Sequence, residues 1–75
     1  MEEKLLIKSD FIKLDSALKC AGLVNTGGHA KNVIVNGEVK VNGEVCLQRG
    51  KKLREGDTAE YNGKTLVIKN AFKET

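Results

Sequence analysis

Apolar positions change spacing partway along the chain, and the change separates helical from extended segments. Lys4-Leu5-Leu6-Ile7-Lys8-Ser9 is a short apolar run with polar ends and predicts an opening strand. Asp10 is a residue type that caps helices. From Lys13 to Ala21 the apolar residues Leu14, Ala17, Leu18 and Ala21 recur at helical spacing and form one stripe. The pattern predicts a first helix started by Asp10 and stopped at Gly22, where a helix C-terminus accepts a positive φ. A second helix is predicted from Thr26, its cap, to about Asn36, with Ala30, Val33 and Ile34 on the buried face and Gly37 as the stop. The short join around Leu23-Val24-Asn25 should fold the two helices into a hairpin.

Beyond Gly37 the period shifts from helical to alternating. Glu38-Val39-Lys40-Val41, the dipeptide Asn42-Gly43 and Glu44-Val45-Cys46 predict a β-hairpin with a two-residue turn. Such a turn pairs Lys40 with Val45 and puts both opposite Val39 and Val41, so either Val45 is partly exposed or a bulge follows the turn. Gln48 to Arg54 reads as an irregular basic loop. Glu55-Gly56-Asp57 is a turn into a last hairpin, Thr58–Tyr61 and Lys64–Ile68, around Asn62-Gly63, and residues 70–75 read as a frayed tail. The class expected is α+β, a two-helix hairpin packed on a small, mostly antiparallel sheet.

With 75 residues, 40% of them apolar and 31% charged, the chain suits one small globular domain, residues 1–75, and not a disordered tail. No segment approaches the ~18 apolar residues of a membrane helix. The start Met1-Glu2-Glu3-Lys4 lacks the features of a signal peptide, so the cytoplasm is the expected compartment, with Cys20 and Cys46 as thiols. Charge adds more once it is mapped. Lys13 to Arg54 holds eight basic and three acidic residues, +5, whereas the flanks hold five basic and seven acidic, −2. A basic middle between acidic ends favours a polyanionic partner.

Catalysis finds little support. The single histidine, His29, has no serine or cysteine at a diagnostic spacing, and the carboxylates are scattered. Cys20, near the end of the first helix, reads as a small core residue. Cys20, Cys46 and His29 would give three metal ligands at most, with no characteristic spacing. No glycine belongs to a dinucleotide or P-loop motif, so no enzyme, metal or cofactor is expected. Binding fits better. Lys13 falls in the first turn of helix one and Lys31 in the first turns of helix two, beside the cap Thr26-Gly27-Gly28. Amides at such a helix start favour an anion, and two glycines let a phosphate oxygen come close to the backbone. Lys40 faces outward on its strand, and Arg49, Lys51, Lys52 and Arg54 crowd the loop that follows.

In order, Phe11-Ile12-Lys13-Leu14-Asp15, Gly22-Leu23, Thr26 to Lys31, Gly37 to Val45, and Arg49-Gly50-Lys51-Lys52-Leu53-Arg54-Glu55-Gly56-Asp57 resemble one known module across roughly residues 5–69. It is the small RNA-binding domain first seen in ribosomal protein S-four, the alpha-L motif, in its small free-standing bacterial form of the YbcJ/YaaA type. The resemblance implies binding to structured RNA, ribosomal or transfer, by the helical hairpin and the adjoining loop. Position by position, Lys13 matches the basic residue opening the family's first helix, Thr26 the cap of its second and Lys31 the basic residue one turn later. Lys40 matches the basic position before Asn-Gly, and Lys51, Lys52 and Arg54 the basic loop before Gly-Asp. Many members carry an arginine directly after the cap, where this chain has Gly27, so phosphate and shape recognition should dominate over base contacts. With only Phe11, Tyr61 and Phe72 as aromatics, stacking on bases is poorly supplied, and Phe11 reads as core rather than platform.

Two functions follow as expectations. The first is a non-catalytic RNA-binding protein, monomeric and acting on ribosomal particles or free RNA. The alternative is a protein-interaction module that meets an acidic partner with the basic face and an exposed strand edge.

Overall fold

The structure, a computed structural model, describes residues 2–72. Strand β1 (Glu2–Ile7) leads to a short strand β2 (Ile12–Lys13), helix α1 (Leu14–Cys20) and helix α2 (Gly27–Val35). Strands β3 (Val39–Val41), β4 (Glu44–Val45), β5 (Lys52–Leu53), β6 (Thr58–Tyr61) and β7 (Lys64–Asn70) follow. Five strands form one sheet in the order β1-β7-β6-β3-β4, while β2 and β5 make a separate antiparallel ribbon. Among the described residues only β1 and β7 pair in parallel, so the sheet is mixed but mostly antiparallel and the class is α+β.

One core joins the layers. Leu14, Ala17 and Leu18 of α1, Ala30, Val33 and Ile34 of α2, Leu53 of the ribbon, and Val39, Val41, Ala59, Leu66 and Ile68 of the sheet are all buried in it. Alternation in β3, β6 and β7 sends these side chains to the helical side and leaves Lys40, Glu60 and Thr65 on the far side.

Both helices end alike. Gly22 has φ +75°, and the amides of Gly22 and Leu23 donate to the carbonyls of Lys19 (3.1 Å) and Leu18 (3.0 Å). Gly37, at φ +80°, repeats the pattern with Ile34 (3.1 Å) and, through Glu38, Val33 (3.0 Å). Each glycine and the residue after it take up one carbonyl apiece at the helix end. The start of α1 departs from expectation. Asp10 does not cap it, because Ile12 and Lys13 are extended and paired with Leu53 and Lys52, so helical geometry can begin only at Leu14. Backbone carbonyls replace a capping side chain: Leu14 N–H donates to Lys51 O (2.8 Å) and Asp15 N–H to Arg49 O (3.1 Å).

Three other expectations change. Cys20 is exposed, not core, because the buried stripe of α1 runs through Leu14, Ala17 and Leu18 and the cysteine falls beside it. Phe11 is half-buried rather than core. Residue 70 is no tail: Asn70 ends β7 buried, donates from its side chain to Ser9 O (3.1 Å) and accepts from Phe72 N–H (2.8 Å). The remaining expected tail, residues 73–75, lies outside the described residues. The first Asn-Gly hairpin pairs Lys40 with Val45 without a bulge, so the register question resolves to an exposed Val45.

Candidate functional site

The β2–β5 ribbon brings two distant basic segments side by side. Lys13 pairs with Lys52, and Ile12 with Leu53. Ile12 and Leu53 pack against the core, so the alternation leaves Phe11, Lys13, Lys52 and Arg54 on the outward side. Lys52 Nζ lies 4.9 Å from the centroid of the Phe11 ring, and the Arg54 guanidinium carbon lies 5.7 Å from it. Arg49 and Lys51 are tied to the same place by their backbones, whose carbonyls accept the first two amides of α1. Lys13, Arg49, Lys51, Lys52 and Arg54 therefore gather around the start of α1, all exposed. The one ion pair among the described residues, Lys69 to Glu55 at 3.7 Å, includes none of them.

The loop that carries these cations is held at its far end by a bracket between the two Asn-Gly hairpins. Asn42 and Asn62 have φ of +52° and +53°, followed by positive φ at Gly43 and Gly63, as a type I′ turn demands. Asn42 also reaches across. Its Nδ2 donates to Asp57 Oδ1 (3.1 Å), and its Oδ1 accepts from Thr58 N–H (2.9 Å). Asp57 in turn accepts from Arg54 N–H through Oδ2 (2.8 Å), closing the turn in which Gly56 takes φ +90°. The Val-Asn-Gly and Gly-Asp segments, far apart in sequence, are thus partners in one hydrogen-bonded unit that fixes the backbone of Arg54.

The start of α2 forms a second group. Thr26 is extended (φ −139°, ψ 165°) and its Oγ1 accepts from His29 N–H (3.0 Å), as expected of a cap. The amides of Gly27 and Gly28 meet no acceptor among the described residues. Lys31 is exposed one turn further on. No hydrogen bond or ion pair links this group to the ribbon among the described residues. Lys40 stands apart from both, on the far face of the sheet, where its register partners are Val45 and Glu60. The sequence-expected residues thus fall into a ribbon-and-loop cluster, a helix start and one outlier.

Phe11 was missed as part of this site. The available signal was the alternation Phe11-Ile12-Lys13 set against Lys52-Leu53-Arg54, which places the ring among cations only once the two segments pair. His29 is exposed on the first turn of α2, and no group of three or more His, Cys, Asp or Glu side chains converges among the described residues.

A family model described as the S4 domain matches residues 5–69, a span that contains the ribbon, the basic loop, both helices and the bracket. The chain belongs to the S4 domain family. Among curated proteins, this S4 domain is similar to the "Probable ribosome maturation protein RlbA" of Bacillus subtilis (strain 168), at 38% identity over 63 residues. The matched stretch covers 84% of this chain and 89% of that protein, so the likeness extends over nearly the full length of both.

Proposed function

We propose that this S4 domain is a non-catalytic RNA-binding protein, a monomer of one domain acting in the cytoplasm, that recognises structured ribosomal or transfer RNA. In this reading the helices form the hairpin of the alpha-L arrangement. RNA lies against the ribbon and loop (Lys13, Arg49, Lys51, Lys52, Arg54) and against the α2 start (Thr26, Gly27, Gly28, Lys31), with Lys40 at the margin. The observation that carries the reading is the gathering of five cations around the start of α1, none of whose side chains forms an ion pair among the described residues. Like charges held this close repel one another, and a polyanion relieves that repulsion while it releases its own counterions. The Bacillus relative is named for ribosome maturation, which makes ribosomal particles the first place to look for the RNA.

The test is titration of total cellular RNA at low and high salt, followed by sequencing of what stays bound. The expected result is a reproducibly enriched structured RNA whose affinity falls with a log–log salt slope of roughly 0.7–0.9 per phosphate contacted. Lys31→Glu combined with Lys52→Glu should abolish that binding and leave the circular dichroism spectrum unchanged. Parent-like binding by the double variant would place the RNA on another face.

One observation favours a second reading. At the β4 edge Val45 is 54% exposed and Leu47 57%, and Val35 at the end of α2 is 52% exposed. A methyl group placed at Gly37 would lie 3.8 Å from Val45 Cγ1 and 4.0 Å from Leu47 Cδ2, so those two side chains flank one spot. An acidic protein partner could pair with that edge and cover the apolar side chains. Binding of that kind has an apolar centre and should lose far less affinity with salt than RNA binding does.

A further inference from the structure

Phe11, directly before β2, carries the one uncharged side chain on the outward side of the ribbon, yet two cations lie over its ring. We propose that Phe11 is a positioning residue of the RNA-binding face: it gathers Lys52 and Arg54 onto its ring and presents them as a preformed pair to adjacent backbone phosphates. The proposal rests on the RNA reading above and adds a residue that acts through its neighbours.

Three observations carry it. Ile12 and Leu53 fill the inner side of the ribbon, so apolar burial there does not depend on Phe11, which stays half-buried. Lys52 Nζ at 4.9 Å and the Arg54 guanidinium at 5.7 Å both lie within the range in which the negative face of an aromatic ring attracts a cation. Neither cation has a carboxylate partner among the described residues, so the ring supplies the attraction that an acidic residue would otherwise give. The difference matters for binding. A carboxylate would neutralise the cation and compete with phosphate, whereas a ring holds it in place with its full charge available. Long side chains lose rotamer freedom when they bind, and holding them beforehand reduces that loss. The same geometry argues against Phe11 as a stacking platform, because a base would have to displace both cations from the ring.

The experiment combines a free-protein readout with a cycle of variants against purified ribosomal RNA over a salt series. In the free protein, the side-chain protons of Lys52 (Cε) and Arg54 (Cδ) should show upfield ring-current shifts in NMR spectra, and Phe11→Leu should remove them. Phe11→Leu should weaken RNA binding several-fold and lower the salt slope by about one phosphate contact. Phe11→Trp, which keeps a ring, should restore both. In a background of Lys52→Gln with Arg54→Gln, Phe11→Leu should cost nothing further, because the residue acts only through those two side chains. An undiminished effect in that background would mean that Phe11 touches RNA directly, and the positioning role would be overturned. Equal binding by the parent and Phe11→Leu would overturn it as well, with the RNA reading intact. A parent that shows no salt-dependent binding would instead defeat the RNA reading and this role with it, even where the ring-current shifts persist. Urea unfolding of each variant separates a loss of fold from a loss of contact.

Discussion

Gly27 and Gly28 are glycines that the folded chain does not require. Neither has positive φ. A Cβ built at Gly27 meets nothing within 4 Å, and one at Gly28 meets only Thr26 Oγ1 at 3.9 Å. Gly22 and Gly37 differ, since their φ of +75° and +80° would strain any side chain. Glycine inside a helix is less favourable than alanine by up to about 1 kcal/mol, so the fold alone would favour alanine at positions 27 and 28. Among the described residues the two amides there also meet no acceptor, which fits a phosphate oxygen that comes closer than a methyl group would allow. Gly27→Ala and Gly28→Ala are therefore expected to stabilise the free protein by a few tenths to about 1 kcal/mol each in urea unfolding, yet to weaken RNA binding several-fold. Stabilised variants with parental RNA affinity would mean that no ligand approaches these amides.

Among the elements, the bracket of Asn42 and Asp57 explains why two turn motifs belong to one site. Asn42 holds Asp57 and Thr58, and Asp57 holds the amide of Arg54. These bonds are solvent-accessible, so each removal should cost about 0.5–1.5 kcal/mol. Asn42→Ala and Asp57→Ala share one bond, and the double variant should be less destabilised than the sum of the singles by at least about 0.5 kcal/mol in urea unfolding. Strict additivity would show that the bond between them contributes nothing. The bracket also marks the limit of what the sequence made legible. Both Asn-Gly turns, the Thr26 cap and the glycine stops were readable because each is a local backbone demand met by residues within a few positions. The β2–β5 ribbon was not readable, since alternation over three residues on either side gains meaning only once the two remote segments pair. Its pairing overrode the local capping signal of Asp10 and moved the start of α1 to Leu14. Asn70 escaped for the same reason: its partners, Ser9 and Glu55, are remote in sequence, and nothing around Asn70 announces them. Of the candidate site, the identities of the cations were legible, but their division into groups was not.

Over the whole molecule, that division leads to a sharper expectation than charge alone. Lys40 and Lys51 are both exposed and both lie in the basic middle of the chain, so by composition they are equivalent. The fold separates them. Lys51 sits where its carbonyl receives the first amide of α1, among Lys13, Arg49, Lys52 and Arg54, whereas Lys40 lies on the far face of the sheet beside Val45 and Glu60. Screening at physiological salt acts over about 8 Å, so a cation outside the contact zone adds little to binding, while one inside it releases close to a full counterion. An RNA seated on the ribbon and loop should thus distinguish the two. Lys51→Gln is expected to lower the log–log salt slope by about 0.7–0.9, and Lys40→Gln by less than half of that. Equal losses would mean that the RNA wraps the β4 edge and contacts both faces of the sheet. In that case the apolar side chains of Val45 and Leu47 would lie beneath nucleic acid and would no longer be available to a protein partner.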